Sequence, residues 1–149
     1  IIDMVVDQPN VRSIVFAEEQ GSYLGGMLAA MASETGTVSF IGGMDIPLIR
    51  NFACGYAQGA KAVNADVNIV ANMTGTTPAA WNDPVKGSEL TLAQISQGSD
   101  VVYAAAGGTG DGGRHPKDRR RMKPGVAAGI AGWVALSATD IHRRESRYE

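Results

Sequence analysis

Between Arg12 and Ala106 the sequence alternates short apolar segments with longer segments whose apolar residues recur at helical spacing. The predicted strands are Ile1–Val6, Arg12–Ala17, Thr37–Ile41, Val67–Ala71 and Asp100–Ala105. The predicted helices are Glu18–Ser33, Pro47–Val63 and a third that starts at Asp83-Pro84. Such alternation is typical of an α/β fold, in which right-handed crossovers build a parallel sheet with helices on its faces.

The predicted helices also have predicted core residues. In the first helix, Gly25, Gly26 and the alanines are expected to allow close packing on a sheet, and five large apolar residues share helical spacing: Tyr23, Leu24, Met27, Leu28 and Met31. In the second, one side carries Leu48, Phe52, Tyr56 and Ala60, and in the third we expect Leu90, Ala93 and Ile95 to contact the core. Apolar residues that recur in this way define the face that a helix buries.

The segment from Thr37 to Arg50 predicts a strand, a turn and a helix start in succession. Gly42-Gly43 is expected to end the strand, and Asp45 and Pro47 to begin the helix, because a carboxylate can accept the first free N–H groups and proline suits the first turn. In open α/β sheets such a turn lies at the carboxyl end of a strand, where ligands bind. An ordinary βα turn without a ligand fits the same pattern.

Charge divides the chain near Gly112. Residues 1–111 hold four basic and eleven acidic residues, a net charge of −7, whereas residues 112–149 hold nine basic and four acidic residues, a net of +5. The basic run after Gly113 fits a phosphate- or nucleic-acid-contacting patch, a solvated tail or a shifted reading frame. We expect 112–149 to be an atypical tail, frame-shifted or disordered, and we assign it no function.

The first residues, Ile-Ile-Asp, resemble the middle of a strand, so we expect a truncated start. No run approaches the ~20 apolar residues that span a bilayer. We expect no metal site, since His115, His142 and Cys54 have no close spacing, and we expect Cys54 to be a buried, inert thiol. Neither Ser22 nor Ser39 has a histidine or acid at a suggestive spacing, so the sequence predicts binding without catalysis.

A glycine-rich run, Gly108–Gly113, fits the pattern G-x-G-x-x-G after a predicted strand. That pattern can hold a pyrophosphate at a helix N-terminus. It belongs, however, to the first βα turn of its domain, and this run follows several elements. A nucleotide-using enzyme is therefore an alternative function, while the backbone N–H groups of Gly107 and Gly108 fit contact with another ligand.

Two further side chains are candidates for ligand binding. Asp3 interrupts an apolar strand end, and a buried carboxylate there needs partners, either a ligand's hydroxyls or the protein's own groups. Trp81 lies in a polar loop, where it forms either a lid over the core or an aromatic surface for a ligand. A purine stacked on such a ring gains about 1–3 kcal/mol by analogy with single-strand binders.

The motif from Ile41 to Arg50 also resembles a known family signature. Further matching residues follow in order: Phe52, Gly55, Tyr56, Gly59, Ala62-Val63-Asn64 and Ala104–Gly110, with Pro9-Asn10-Val11 and Glu19–Leu24 before them. Together they resemble the basic membrane protein family, the substrate-binding lipoproteins of ABC transporters, of which purine nucleoside receptors are the best-known type. The resemblance runs from Ile1 to about Asp111.

This resemblance implies a class I periplasmic-binding-protein-like fold with two doubly wound lobes. Residues 1–11 are then the end of the first lobe and a hinge crossing, and 12–111 form part of an incomplete second lobe. The implied function is a receptor that closes about its hinge on a nucleoside, with purine nucleosides expected, and delivers it to an ABC permease. The implied location is the cell membrane, through a lipid anchor absent from this fragment, or the periplasm, with no cofactor and no nucleic acid.

The resemblance also implies site residues. Asp3 matches the aspartate that binds the ribose hydroxyls, while Trp81, Gly107 and Gly108 face the base and sugar from the other lobe. An intracellular ligand-sensing regulator on the same fold is the alternative function within this family.

Overall fold

Three parallel strands in the order β2-β1-β3 form the centre of the structure, a computed structural model that describes residues 1–114. The strands are β1 (Thr37–Met44), β2 (Asn68–Gly75) and β3 (Val101–Ala105). The α-helices are α1 (Glu18–Ala32), α2 (Pro47–Val63) and α3 (Pro84–Ser96), and two 3₁₀ helices span Pro78–Trp81 and Gly107–Arg114. The predicted α/β class and parallel sheet are confirmed.

The order of the strands places helices on both faces of the sheet. β1 pairs with β2 from Thr37↔Asn68 onward and with β3 from Val38↔Val101 onward. The crossover through α2 therefore runs from β1 to one side, and the crossover through α3 returns past β1 to the other. Because parallel crossovers are right-handed, α2 and α3 cover opposite faces. The sheet is thus doubly wound.

On one face, three aromatic rings fill the space between the sheet and α2. Tyr56 stacks on Tyr103 with centroids 5.2 Å apart and an interplanar angle of 9°, and Phe40 lies 6.0 Å from Tyr56 and 5.8 Å from Tyr103. All three side chains are buried. This cluster is the core of the described lobe.

On the other face, α3 buries polar rather than apolar side chains. The predicted contacts Ala93 and Ile95 are exposed and half-buried, whereas Thr91 and Gln94 are fully buried. The amide of Gln94 donates to the carbonyl of Phe40 at 3.0 Å and to Asn72 Oδ1 at 2.9 Å. These hydrogen bonds offset the cost of burying the N–H groups of the amide. Of the three predicted contacts, Leu90 and Ile95 are half-buried, so the periodicity of apolar residues missed the two polar residues that are fully buried.

Helices α1 and α2 run parallel and touch through their backbones. A Cβ added to Gly55 would overlap the carbonyl oxygen of Glu19, and one added to Gly59 would overlap that of Tyr23. The buried face of α1 consists of small residues: Ser22, Gly25, Gly26 and Ala29. The glycines and alanines were expected to allow close packing, and Gly25, Gly26 and Ala29 are buried here. Three of the large apolar residues at helical spacing lie outside this face, with exposed fractions of 57% for Leu24, 56% for Leu28 and 68% for Met31. The short distance between the helices admits only small residues.

The helix starts were predicted correctly, with one difference in capping. α2 begins at Pro47 and α3 at Pro84, where Asp83 Oδ1 accepts from the N–H of Lys86 at 2.9 Å. Asp45, however, does not cap α2. Its carboxylate forms two hydrogen bonds to Arg50, at 2.7 and 3.0 Å, because Arg50 offers paired charged donors one turn away.

Gly42-Gly43 does not end β1, which continues to Met44. Gly42 stays in register with both Met73 on β2 and Ala105 on β3. A Cβ there would overlap the sulfur of Met73 and lie 2.7 Å from Cγ2 of Ile49. These glycines are therefore sites of close packing within a strand, and not a turn.

Cys54 is exposed, so the prediction of a buried thiol is wrong. It lies on the side of α2 away from the sheet, where Gln58 Nε2 donates to its sulfur at 3.1 Å. The helix buries Gly55 and Gly59 instead, whose lack of a side chain allows the backbone of α1 to approach closely.

The first seventeen residues form neither predicted strand. Ile1–Val6 and Arg12–Ala17 lie side by side but share a single parallel bridge, Ile2↔Ile14, and most of their apolar side chains are exposed. Parallel strands are stable when neighbours pair with them and helices cover both faces, and the described residues supply neither here. The predictions for 115–149, including His115 and His142, lie outside the described residues.

A carboxylate at the amino end of β3 predicts a dependence of stability on pH. Asp100 accepts from Ser33 Oγ at 2.7 Å and from the N–H groups of Glu34 at 2.7 Å and Thr35 at 3.0 Å. Partial burial raises the pKa of Asp100, but these hydrogen bonds outweigh it and hold the pKa below its ordinary value. The stabilisation is therefore present above about pH 4 and lost as the pH falls through the folded-state pKa.

We expect Asp100→Asn to lower the free energy of unfolding by about 1 kcal/mol at pH 7, since partial exposure weakens charged hydrogen bonds. Urea unfolding at pH 7 and at pH 3 measures this, and the difference from wild type should shrink at the lower pH. Asp66→Asn, at an exposed carboxylate, serves as the control. A difference that grew on acidification would contradict the assignment.

Candidate functional site

The carboxyl ends of β1 and β3 meet at the point where the chain leaves the sheet in opposite directions. β1 leads to α2 on one face, and β3 leads to the 3₁₀ helix Gly107–Arg114, which packs against α3 on the other. Ligands of open α/β folds bind at such a switch point, because the diverging connections leave a crevice. We call this space, lined by Gly43, Trp81, Gly107 and Gly108, the β1–β3 crevice.

Trp81 bridges the two strand ends. Its indole lies on Gly43, where a Cβ would overlap ring atoms Cε3 and Cζ3. The position of a Cβ on Gly107 is 3.0 Å from the carbonyl oxygen of Trp81 and 3.8 Å from its Cε3. The ring is half-buried, packed partly against the core. The close contact with Trp81 requires glycine at position 43. At position 107, glycine is required by the contact with Trp81 and also by a left-handed φ of 55°.

The structure thus brings together three of the four predicted site residues: Trp81, Gly107 and Gly108. Gly108 lies beside Asn82, whose Oδ1 is 2.9 Å from the position of a Cβ there. Sequence reasoning assigned no ligand role to Gly43, because its contact with Trp81 joins residues far apart in the chain. The glycine pair after a strand was the available signal.

Thr109 is a second residue that sequence reasoning missed. Its hydroxyl is buried, donates to the carbonyl of Ala80 at 2.8 Å and accepts from the N–H of Asp83 at 2.8 Å. A hydroxyl residue inside a run of glycines was the only sign of this role.

Asp3 lies on the N-terminal segment and not in the β1–β3 crevice. The residue is exposed, has a left-handed φ of 58°, and its backbone N–H donates to the carbonyl of Ile14 at 2.9 Å. The expectation of a buried carboxylate is therefore wrong, since no covered strand forms there. A role in holding ribose stays a prediction.

The glycines of the Gly108–Gly113 run pack against protein. A Cβ on Gly112 would overlap the carbonyl oxygen of Pro84, and one on Gly113 would lie 2.7 Å from Thr91 Oγ1. Likewise, a Cβ on Gly110 would lie 3.2 Å from the Cβ of Ala104. These glycines are explained by contact with α3 and β3, so the pattern gives no support to pyrophosphate binding.

The charged pair next to the crevice is neutral overall. Hydrogen bonding to Arg50, with its positive charge, holds the pKa of Asp45 below its ordinary value. The N–H of Asp45 donates to the carbonyl of Gly75 at 2.8 Å, which fixes the start of the loop after β1. The carboxylate of Asp45 is therefore paired with Arg50 and is not a free negative charge.

Within residues 1–114, no three side chains of the types His, Cys, Asp and Glu lie close enough together to hold a metal ion. Over the same residues, no helix has the length and apolar character to cross a membrane.

The doubly wound parallel sheet, with helices on both faces, is that of a periplasmic-binding-protein-like lobe. The chain belongs to the family described as ABC transporter substrate-binding protein, PnrA-like, whose profile matches residues 1–115. This family binds solutes and is not enzymatic, in agreement with the prediction from the sequence.

Known proteins similar to this chain are consistent with that assignment. The ABC transporter nucleoside-binding protein BmpA of Lactococcus lactis is 41% identical over 113 residues, which are 75% of this chain and 31% of that protein. A solute-binding protein of an ABC transporter system from Aeropyrum pernix superposes with a TM-score of 0.72 at 28% identity, over 85% of this chain and 37% of that one. A transcriptional activator of the comK gene from Bacillus halodurans superposes with a TM-score of 0.62 at 27% identity, over 80% of this chain and 40% of that one. The chain thus spans less than half of each.

Proposed function

We propose that this chain is part of an ABC-transporter receptor that binds nucleosides, with purine nucleosides as the expected class. The observation that carries the proposal is the Trp81 ring, seated on Gly43 and beside Gly107 at the switch point of the sheet. A flat aromatic surface suits a nucleobase, because stacking contributes about 1–3 kcal/mol per base. The printed name of the Lactococcus relative supports the same ligand class.

In this proposal, residues 12–111 supply one lobe of the receptor and residues 1–11 the crossing to the other. Trp81, Gly107 and Gly108 contact the base and sugar, and Asp3 holds the ribose hydroxyls once the lobes close about the hinge. Closure would bring Asp3 to the crevice, from which it is separate in the described structure. The backbone N–H groups of the two glycines are suitable donors to ligand oxygens.

The proposed partners and location follow from the same family. A receptor of this type acts outside the cytoplasm, held by a lipid anchor or free in the periplasm, and hands its ligand to an ABC permease. The imported compound is the nucleoside itself, and no cofactor takes part.

Saturation-transfer NMR on the 149-residue chain tests the ligand class, since it detects the weak binding expected of a single lobe. With adenosine or guanosine, we expect the base protons to receive more saturation than the ribose protons, because the base stacks on Trp81. Trp81→Ala should weaken binding by about fivefold to a hundredfold, through the loss of about 1–3 kcal/mol of stacking. Trp81→Phe retains a ring and should keep most of the affinity.

Ribose alone and uridine are the matched ligands, and both should give weaker signals than purine nucleosides. Equal signals from ribose and adenosine, or an unchanged affinity in a folded Trp81→Ala variant, would contradict the proposal.

A regulator of transcription is the second candidate, because the comK activator shares the fold at 27% identity. The two candidates differ in what precedes the binding lobe in the gene. Sequencing the DNA upstream of Ile1 distinguishes them: a lipobox cysteine after a signal sequence supports the receptor, and a DNA-binding segment supports the regulator.

A further inference from the structure

We infer that Thr109 is a positioning residue, which fixes the Trp81 ring relative to the end of β3 and thereby sets affinity in the β1–β3 crevice. The inference about affinity rests on the proposed function, whereas the inference about position rests on geometry alone.

The hydroxyl of Thr109 holds the chain on both sides of Trp81-Asn82. It donates to the carbonyl of Ala80, the residue before this pair, at 2.8 Å, and accepts from the N–H of Asp83, the residue after it, at 2.8 Å. One oxygen atom therefore fixes both ends of a two-residue segment.

Thr109 is itself held by the end of β3. Its N–H donates to the carbonyl of Ala106 at 3.2 Å, and its own carbonyl oxygen lies against Gly87 of α3, where a Cβ would overlap it. The side chain is fully buried, and so is its hydrogen bond to Ala80, whereas the hydrogen bond from the N–H of Asp83 is partly buried. The position of β3 is thus transmitted to Trp81 through a contact that excludes water on its Ala80 side.

Two groups that would contact a ligand are therefore joined through Thr109. The glycine backbone at Gly107 and Gly108 and the ring of Trp81 belong to separate segments, which meet in the crevice. Without the hydroxyl, the carbonyl of Ala80 and the N–H of Asp83 are left unpaired, and the segment carrying Trp81 must move toward water to satisfy them. A misplaced ring binds a base less well.

The experiment replaces Thr109 with valine, which keeps the shape and removes the hydroxyl, and with serine, which keeps the hydroxyl. Ser99→Ala is the matched control, since Ser99 is also buried and its hydroxyl donates at 2.8 Å to Ser39 Oγ, near the amino ends of the strands and away from Trp81. All variants carry Trp133→Phe, so that Trp81 is the sole tryptophan. The readouts are Trp81 emission and acrylamide quenching without ligand, the urea midpoint, and adenosine affinity.

Thr109→Val should shift Trp81 emission to longer wavelength, increase quenching by acrylamide and weaken adenosine binding about tenfold. Thr109→Ser should restore all three. Ser99→Ala should lower the urea midpoint but leave emission, quenching and affinity unchanged. A shift of emission in Ser99→Ala equal to that in Thr109→Val would overturn the inference, as would an unshifted Thr109→Val.

Failure of the wild-type chain to bind adenosine would refute the proposed function. The role of Thr109 in positioning Trp81 would still be decided, because the emission measurement needs no ligand. If Thr109→Val does not fold, hydrogen exchange in the wild type decides it. The amide of Asp83 should then exchange as slowly as amides of β1, and fast exchange would overturn the inference.

Discussion

Replacing Gly59 with alanine is expected to lower the free energy of unfolding by about 3 kcal/mol or more. The added methyl would overlap the carbonyl oxygen of Tyr23 on α1 and approach its Cα to 2.9 Å. A side chain can relieve an overlap by changing its rotamer, but backbone atoms cannot. Helices α1 and α2 must therefore move apart. Urea unfolding followed by far-UV circular dichroism measures the loss.

Gly21→Ala is the matched control, because Gly21 also lies in a helix and has no atom within 4 Å of an added Cβ. This variant should be more stable than wild type by about 1 kcal/mol, since alanine favours a helix over glycine. If both variants were stabilised, the two helices would be farther apart than the structure has them.

Replacing Gly43 with alanine is expected to displace the Trp81 ring and to weaken purine nucleoside binding about tenfold to a hundredfold. The added methyl would occupy the space of ring atoms Cε3 and Cζ3. Binding would then lose up to the full stacking contribution of about 1–3 kcal/mol. Trp81 emission, measured with Trp133→Phe in the background, should move to longer wavelength as the ring enters water. A nucleoside titration measures the affinity.

Gly75→Ala is the control for this variant. Gly75 ends β2 at the same edge of the sheet, but an added Cβ would lie 3.5 Å from the Cβ of Ala80, an ordinary contact. Its emission and affinity should stay at wild-type values. An unshifted emission in Gly43→Ala would show that the ring does not rest on this glycine.

The sequence was most informative where one residue determines local geometry. Pro47 and Pro84 mark helix starts because proline lacks the N–H that a first turn leaves unused, and the structure confirms both. The α/β class was predictable in the same way, from the alternation of strand and helix periods. The family resemblance added the expected positions of Trp81, Gly107 and Gly108.

Features that depend on residues distant in the chain could not be predicted. The inward face of α1 is set by the glycines of α2, so the large residues Leu24 and Leu28 point outward although they are the more apolar. The contact between Gly43 and Trp81 joins two segments whose meeting requires the whole sheet. Burial of the Asp3 carboxylate would require a covered strand at this position, and the described residues do not form one.

The central place of β1 has a consequence for the order in which the lobe gains structure. β1 pairs with β2 after one crossover and with β3 after two, and contacts of low sequence separation cost less loop entropy to form. The unit from β1 through α2 to β2 can therefore assemble early. The crevice, which needs the end of β3 against Trp81, is completed late. Ligand binding then stabilises the part of the lobe that forms last, and so favours the fully folded chain over its partly folded states.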